Sequence, residues 1–332
     1  MIRSIAAIAL GTFAGLAANG DAHAWGKDGH ETVGYIAASV ISGSKAAQEV
    51  GKILHTGETL ATAAEWPDCA KGFEYCHKTP TPEMKKFASD NPAHHNYHYT
   101  DIPFENAAYK PDAVGASPDD VVHALQDAIR VLQGKPVSNP GHKFTKRDAL
   151  FILAHMVGDI HQPLHVGAAY VDGTLKFVEP KTKAEAQSTF TEGGNWLCIG
   201  SKGLHGFWDT DYVKRAMKKA GAVSSSDYAA ALLSDAKKIT KDSGDPIAWP
   251  EKWATESLNL AAAELRPVSV TGTRLQGPKG SCGKPPADPD PTKKIWTAAA
   301  PGNYVGKAIG IVPGRLEKAG SRLAHLLQAI WP

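Results

Sequence analysis

Between positions 155 and 165 the chain reads His155-Met-Val-Gly-Asp159-Ile-His161-Gln-Pro163-Leu-His165, and no other stretch restricts the fold so tightly. A histidine and an aspartate four residues apart share one face of a helix and can point at a common ion. Pro163 ends that helix and lets His165 turn toward a neighbouring ion. The same spacing returns at His205 and Asp209. Either pair alone is explained equally well by a capped or hydrogen-bonded core pair, but two such pairs in one chain favour metal. Imidazole and carboxylate are ligands that zinc accepts, and a catalytic zinc keeps one position open for water. Ions only about 3.5–4 Å apart can clamp both the attacking and the leaving oxygen of a phosphodiester. Phosphoryl substrates are the natural match.

The first residues read as an export leader. Met1-Ile2-Arg3 is a short positive start, Ile5 to Ala18 an apolar run, and Ala22-His23-Ala24 a small-x-small ending. The apolar run is shorter than the roughly 20 residues that a spanning helix needs. Cleavage is expected after Ala24, so that residues 1–24 are a signal peptide and 25–332 a single catalytic domain, periplasmic or extracellular, with no membrane span. The four cysteines, Cys69, Cys76, Cys198 and Cys282, all lie in the exported part and favour two disulfides. Three pairings exist. Cys69 with Cys76, by proximity, and Cys198 with Cys282 are preferred, and the absence of a Cys-x-x-Cys pair argues against cysteine-held zinc. A formal net charge of +2 argues against binding through a broad basic surface.

Most of the periodicity is helical. Val33, Ile36, Ala37, Val40 and Ile41 fall on one face of a helix ending near Gly43. Ser117-Pro118-Asp119-Asp120 opens a second helix carrying Val121, Leu125, Ala128 and Leu132, stopped at Gly134. Thr145 with Asp148 three residues on opens a third in the manner of a capping box. Further helices are predicted over 228–236, 251–265 and 316–330. Residues 76–112 and 267–301 read as long surface loops, a hairpin is possible over 167–178, and the expectation is one mainly α domain.

These marks together resemble a known family, the zinc-dependent type I single-strand-specific nucleases to which mung bean nuclease and its fungal and plant relatives belong. The marks are Trp25-Gly-x-x-Gly-His30, Trp66-Pro-Asp68, His98-Tyr99-Thr-Asp101, the His155 to His165 segment, Gly193-Gly194-Asn195 and His205-x-x-Trp208-Asp209. Weaker agreement runs through Trp253-x-x-Glu256-Ser257 and the helix around Arg322. The resemblance covers residues 25–332 and implies the compact helical fold shared with zinc phospholipase C. It implies three zinc ions and nine ligand residues. Asp68, His98, His155 and Asp159 would hold one ion. Asp159 would bridge to a second, held by His30 and by the free amine and carbonyl of Trp25, so that leader removal acquires a chemical role. His165, His205 and Asp209 would hold the third.

On the same footing the expected activity is hydrolysis of single-stranded DNA and RNA to 5′-phosphates, with 3′-nucleotidase action as a possible companion. The resemblance implies that water activated by the paired ions would attack phosphorus and that the third ion would stabilise the departing 3′ oxygen. The residues assigned to catalysis are Asp68, Asp159 and Lys71. Tyr99 would stack on a base, Asp101 would meet the base edge, and Asn195 and Lys71 would contact phosphate or support the ligands. Lys71 stands where the fungal pattern has arginine, and it lacks arginine's bidentate fork. His94, His95, His161 and His325 are read as packing or surface residues. No obligate protein partner is expected. The nearest alternative is a zinc phospholipase C, disfavoured by Asp209 in place of that family's glutamate and by the Tyr99–Asp101 pair. A non-catalytic zinc-binding protein would instead surround each ion fully with protein ligands.

Overall fold

Capping chemistry sets where the main helices begin. In the computed structural model, which describes residues 25–278 and 281–332, the Thr145 hydroxyl accepts from Asp148 N at 3.1 Å while Asp148 Oδ2 accepts from Thr145 N at 2.9 Å. Asp120 caps its helix by accepting from Val122 N and His123 N, each at 3.1 Å. Thr59 and Thr62 cap a helix that the periodicity does not reveal. The expected leader, residues 1–24, lies outside the described residues.

The helices in chain order are α1 (Gly26–Ile41), α2 (Lys45–Ile53), α3 (Leu60–Lys71), α4 (Phe73–Cys76), α5 (Pro82–Asp90), α6 (Val121–Leu132) and α7 (Lys146–Asp159). They continue with α8 (Lys183–Thr189), α9 (Leu204–Gly206), α10 (Tyr212–Lys219), α11 (Ser225–Ala236), α12 (Trp249–Leu265) and α13 (Tyr304–Ile330). Strands are few. Ile102–Pro103 (β1) pairs in parallel with Gly167–Ala168 (β2). Leu197–Ile199 (β3), Lys202–Gly203 (β4), Ser269–Leu275 (β5) and Lys294–Ala299 (β6) form a sheet in the order β4-β3-β6-β5.

Two expected loops are therefore corrected. Residues 76–112 contain α5 and a 3₁₀ turn at His94–His98, and 267–301 contain the antiparallel pair β5 and β6. The hairpin over 167–178 shrinks to one bridge between Val171 and Phe177. α13 starts at Tyr304, well before the expected 316, and runs through Pro313. Both preferred disulfides, Cys69–Cys76 and Cys198–Cys282, are formed. The second ties β3 to the β5–β6 connection. No helix among the described residues is long and apolar enough to cross a membrane.

α7 lies at the centre, with every residue from Asp148 to Asp159 buried. Around it α1 packs on α3, α11 and α13, and α3 and α6 pack on α7. Two glycines set how closely these helices approach. A Cβ at Gly34 would stand 2.5 Å from Ala61 Cα of α3, and one at Gly320 of α13 would stand 2.5 Å from Ile36 Cβ of α1. α1 carries His30 and α3 carries Asp68, so the first of these approaches also spaces two of the expected ligands. Gly34→Ala forces α1 and α3 apart and should lower stability by about 1–3 kcal/mol, read as a reduced midpoint in chemical denaturation; an unchanged midpoint would mean that the interface has slack.

Candidate active site

α7 ends at Asp159, so His155 and Asp159 face one side of its last turn, and α3 likewise ends three residues after Asp68. Helix C-termini carry partial negative charge and favour a cation beside them. The parallel β1–β2 pair then brings in the rest: Thr100 N donates to His165 O at 2.8 Å and Ile102 N to Val166 O at 3.0 Å, which sets the His98 segment against the 3₁₀ turn Pro163–His165. His205 and Asp209 come from a different local structure than their spacing suggests. α9 passes directly into a π turn, Phe207–Asp211, before α10 begins, a device common at functional sites.

Eight expected side-chain ligands converge in three groups, the first two sharing His155: His30, His155 and Asp159; Asp68, His98 and His155; and His165, His205 and Asp209. All eight are at most 4 % exposed. Asp159 divides its carboxylate, with Oδ1 3.2 Å from His30 Nε2 and Oδ2 3.0 Å from His98 Nδ1 and 3.2 Å from His155 Nε2. Asp68 Oδ1 completes the second group at 3.7 Å from His98 and 3.8 Å from His155. In the third, His205 Nε2 is 3.3 Å from Asp209 Oδ2 and His165 Nε2 is 3.7 Å from Asp209 Oδ1.

The ring orientations test whether a metal fits. His155 Nδ1 donates to Ala64 O at 2.5 Å, His165 Nδ1 to His98 O at 2.7 Å and His205 Nδ1 to Gly193 O at 2.9 Å. A neutral imidazole that donates from one nitrogen presents a lone pair at the other. Yet His165 Nε2 and His205 Nε2 stand 3.0 Å apart. Lone pairs held face to face in a dry interior need an electron-poor centre between them. Both ring nitrogens of His30, Asp159 Oδ1 and Asp209 Oδ2 are buried without a hydrogen-bond partner. Backbone carbonyls behind the ligating rings are the usual outer support of a metal site, and the nitrogen and oxygen donor set suits zinc. The residues fit the group.

Charge points the same way. Burial alone would raise the Asp159 carboxyl, but His155, His30 and His98 outweigh it and hold it far below the usual carboxylate range. Asp68 is likewise held low against burial, by Lys71 first and then by His155 and His98. Lys71 Nζ lies 2.6 Å from Asp68 Oδ1 and over the Tyr75 ring at 4.7 Å, so its ammonium is anchored to a ligand at the site's edge.

Trp25 is fully buried beside this centre, its indole donating to Gly158 O at 2.8 Å. Gly158 has no room for a side chain, since a Cβ there would meet His30 Nδ1 at 2.9 Å. Trp25, His30, Asp68 and Asp209 line one cavity of about 190 Å³, which Lys27 and Lys214 also border. Tyr99 is 37 % exposed, its hydroxyl bonded to Asn96. Burial lifts the nearby Asp101 carboxyl to about 7, and burial and Asp101 together lift Glu192 to about 8. Asn195 is half-buried and follows the Gly193–Gly194 turn whose first carbonyl supports His205.

The four excluded histidines stay outside the clusters. His161 lies beyond the end of α7, Nδ1 bonded to Val157 O and Nε2 to Arg322. His94 bonds Asn91 O, His95 packs edge-on to Tyr75, and His325 sits half-buried on α13.

Two neighbours went unread in the sequence. Glu192 is one. The other is Gln162, fully buried, whose Oε1 accepts from Leu164 N at 2.6 Å. A backbone N–H cannot accept, so this bond fixes the amide orientation and turns Nε2 to donate to Asp209 Oδ1 at 2.7 Å. Its place inside the His155–His165 motif was a signal, but nothing in the chain order pairs it with Asp209.

Comparison with known proteins agrees with this geometry. The family model described as S1/P1 Nuclease matches residues 25–332. Among curated proteins the chain is similar to Nuclease S1 of Aspergillus oryzae, 26 % identical over 93 % of this chain and 92 % of that protein. It is also similar to Endonuclease 4 of Arabidopsis thaliana, 27 % identical over 92 % and 89 % of the two chains. Endonuclease 1 of the same plant is 25 % identical over 71 % and 72 %.

Gln162→Leu removes the donor that orients Asp209. Metal affinity at the His165–His205–Asp209 cluster should fall about 10- to 100-fold, seen on titrating zinc into chelator-stripped protein, and affinities matching those of the unaltered chain would show that Asp209 orients itself.

Proposed function

Because the chain belongs to the S1/P1 nuclease family across residues 25–332, we propose that its three His/Asp clusters hold zinc ions and that it works outside the cytosol, cleaving single-stranded nucleic acid to 5′-phosphate products. It is a phosphodiester hydrolase and a single-strand-specific endonuclease. The observation that carries the metal reading is the divided carboxylate of Asp159, one oxygen toward His30 and the other toward His98 and His155. A buried carboxylate between two imidazole groups is the arrangement that two neighbouring cations share.

Asp68, His98, His155 and Asp159 Oδ2 would hold one ion; Asp159 Oδ1, His30 and the amine and carbonyl of Trp25 a second; His165, His205 and Asp209 the third. Bound there, zinc supplies Lewis acidity and a water of lowered pKa at neutral pH. The chain's own residues do the rest. The carbonyls of Ala64, His98 and Gly193 lock the rings of His155, His165 and His205 so that Nε2 faces inward. Lys71 balances Asp68 and places an ammonium where a phosphate oxygen would approach. On this reading no side-chain general base is required, because the ions themselves would lower the pKa of the attacking water.

Tyr99, exposed next to His98, would stack on a base and Asp101 would meet its edge. A base can stack there only when it has left its duplex partner, which accounts for single-strand preference without a broad basic groove. Export rests on the leader pattern of residues 1–24 and is supported by the two disulfides. Cleavage before Trp25 would free the amine that completes the ligand set of the second ion, and 25–332 would act as one catalytic domain.

The test is release of acid-soluble nucleotides from heat-denatured DNA, duplex DNA and RNA, with phosphatidylcholine as the control. Faster release of 5′-mononucleotides from single strands, abolished by chelator and restored by zinc, is expected; lipid cleavage or chelator-resistant activity would refute the reading. Asp159→Asn should cost more activity than the roughly hundredfold loss that follows removal of an outer support, with two ions fewer by elemental analysis. Tyr99→Ala should weaken single-strand binding by about 1–3 kcal/mol while leaving metal content unchanged; an unaltered KM would remove Tyr99 from the base site.

A further inference from the structure

α10 begins three residues after Asp209, where the π turn gives way to regular helix. It buries Tyr212, Val213, Ala216 and Met217 and exposes Lys214, Arg215, Lys218 and Lys219. Lys214 and Lys218 stand one turn apart on the outer face, with Arg215 and Lys219 one turn apart beside them. None of the four makes an ion pair among the described residues. Other exposed lysines are of both kinds: Lys52, Lys86, Lys238 and Lys307 are held by Glu49, Asp90, Asp235 and Glu264, while Lys45, Lys85 and Lys135 make no ion pair among the described residues, so what sets α10 apart is the clustering of its cations on one face. The formal charge of the whole chain is only +2, so four uncompensated cations on one short helix form a local feature.

Their placement gives them a partner. Lys214 borders the same cavity as Trp25, His30, Asp68 and Asp209, and Lys27 lies on that cavity too. Asp28 and Glu65 also line it; Glu65 is held by Lys78 at 2.6 Å and Lys27 by Glu31 at 3.5 Å, so Lys214 is the lining lysine without an ion pair among the described residues. A cationic stripe thus starts at the cavity and leads away along α10 from Lys214 to Lys219, about 7.5 Å at the rise of an α-helix. Phosphates recur about every 3.4 Å of axis along each strand of a duplex, so such a stripe spans roughly two of them.

We propose that the outer face of α10 is a track for the phosphate backbone flanking the scissile bond, engaging polynucleotide chains and leaving the shortest substrates untouched. The proposal rests on the nuclease reading above and names the part of the chain that grips substrate length. It differs from the Tyr99–Asp101 site, which reads a base, because the track reads charge alone and is indifferent to sequence.

The test compares the unaltered protein with the triple variant Arg215→Gln, Lys218→Gln, Lys219→Gln, which leaves Lys214 in the cavity and changes only exposed side chains. The substrates are a long single-stranded oligodeoxynucleotide and a dinucleotide with one phosphodiester. KM for the oligonucleotide should rise on the order of three- to tenfold, while the dinucleotide is turned over as before. The slope of log KM against log salt should also become shallower by about 0.7 for each phosphate no longer neutralised. Equal KM for the oligonucleotide in both proteins, an equal rise on both substrates, or an unchanged salt slope would overturn the track. Absence of cleavage of either substrate by the unaltered protein would overturn the nuclease reading itself, and the track with it.

Discussion

Burying carboxylates beside the lone pairs of imidazoles is costly unless something positive compensates them, and in this molecule that requirement organises everything around the end of α7. Asp159 is fully buried, and three histidines from three different elements approach it: His30 from α1, His98 from a 3₁₀ turn and His155 from its own helix. Each element brings its own neighbours. α1 draws α3 against it across Gly34, and β1 draws the His165 turn alongside through β2. The layout of helices is thus the layout needed to aim side chains of widely separated sequence at one small volume.

Much of this was legible in the chain order, because the chemistry is local. The Thr145–Asp148 and Asp120 caps announce their helices through backbone donors that need partners. His155 and Asp159 announce a shared face through the helical repeat, and Pro163 announces its end. What escaped is what packing decides. β5 and β6 carry glycine, threonine and lysine and lie largely at the surface, so their pairing shows no alternation strong enough to distinguish them from loop. The first half of α13 has Gly306, Gly310 and Pro313, all poor helix formers, and stays helical through its packing on α10 and the core.

The site followed the same division. The eight expected side-chain ligands were nameable because their types and order match a known pattern, and the structure gathers all eight into three groups that could hold a metal ion. The supports were not nameable, since carbonyls of Ala64, His98 and Gly193 are backbone groups that every residue type carries. Gln162 finds Asp209 across 47 positions of sequence. The π turn at Phe207–Asp211 was equally invisible: four-residue spacing reads as ordinary helix whichever turn realises it.

The complete burial of α7 bears on how fast such a site changes. Local opening is easiest where few apolar contacts and many exposed backbone bonds are found, and α7 has the opposite character from Asp148 to Asp159. His155 and Asp159 cannot be laid bare by fraying, so an ion held by them would not leave by loosening of that helix short of unfolding of the core. The cavity lined by Trp25, His30, Asp68 and Asp209 faces the other way, toward solution. An ion held beside it would exchange through that mouth, so its residence time would follow the mouth and not the stability of the helix that aims at it.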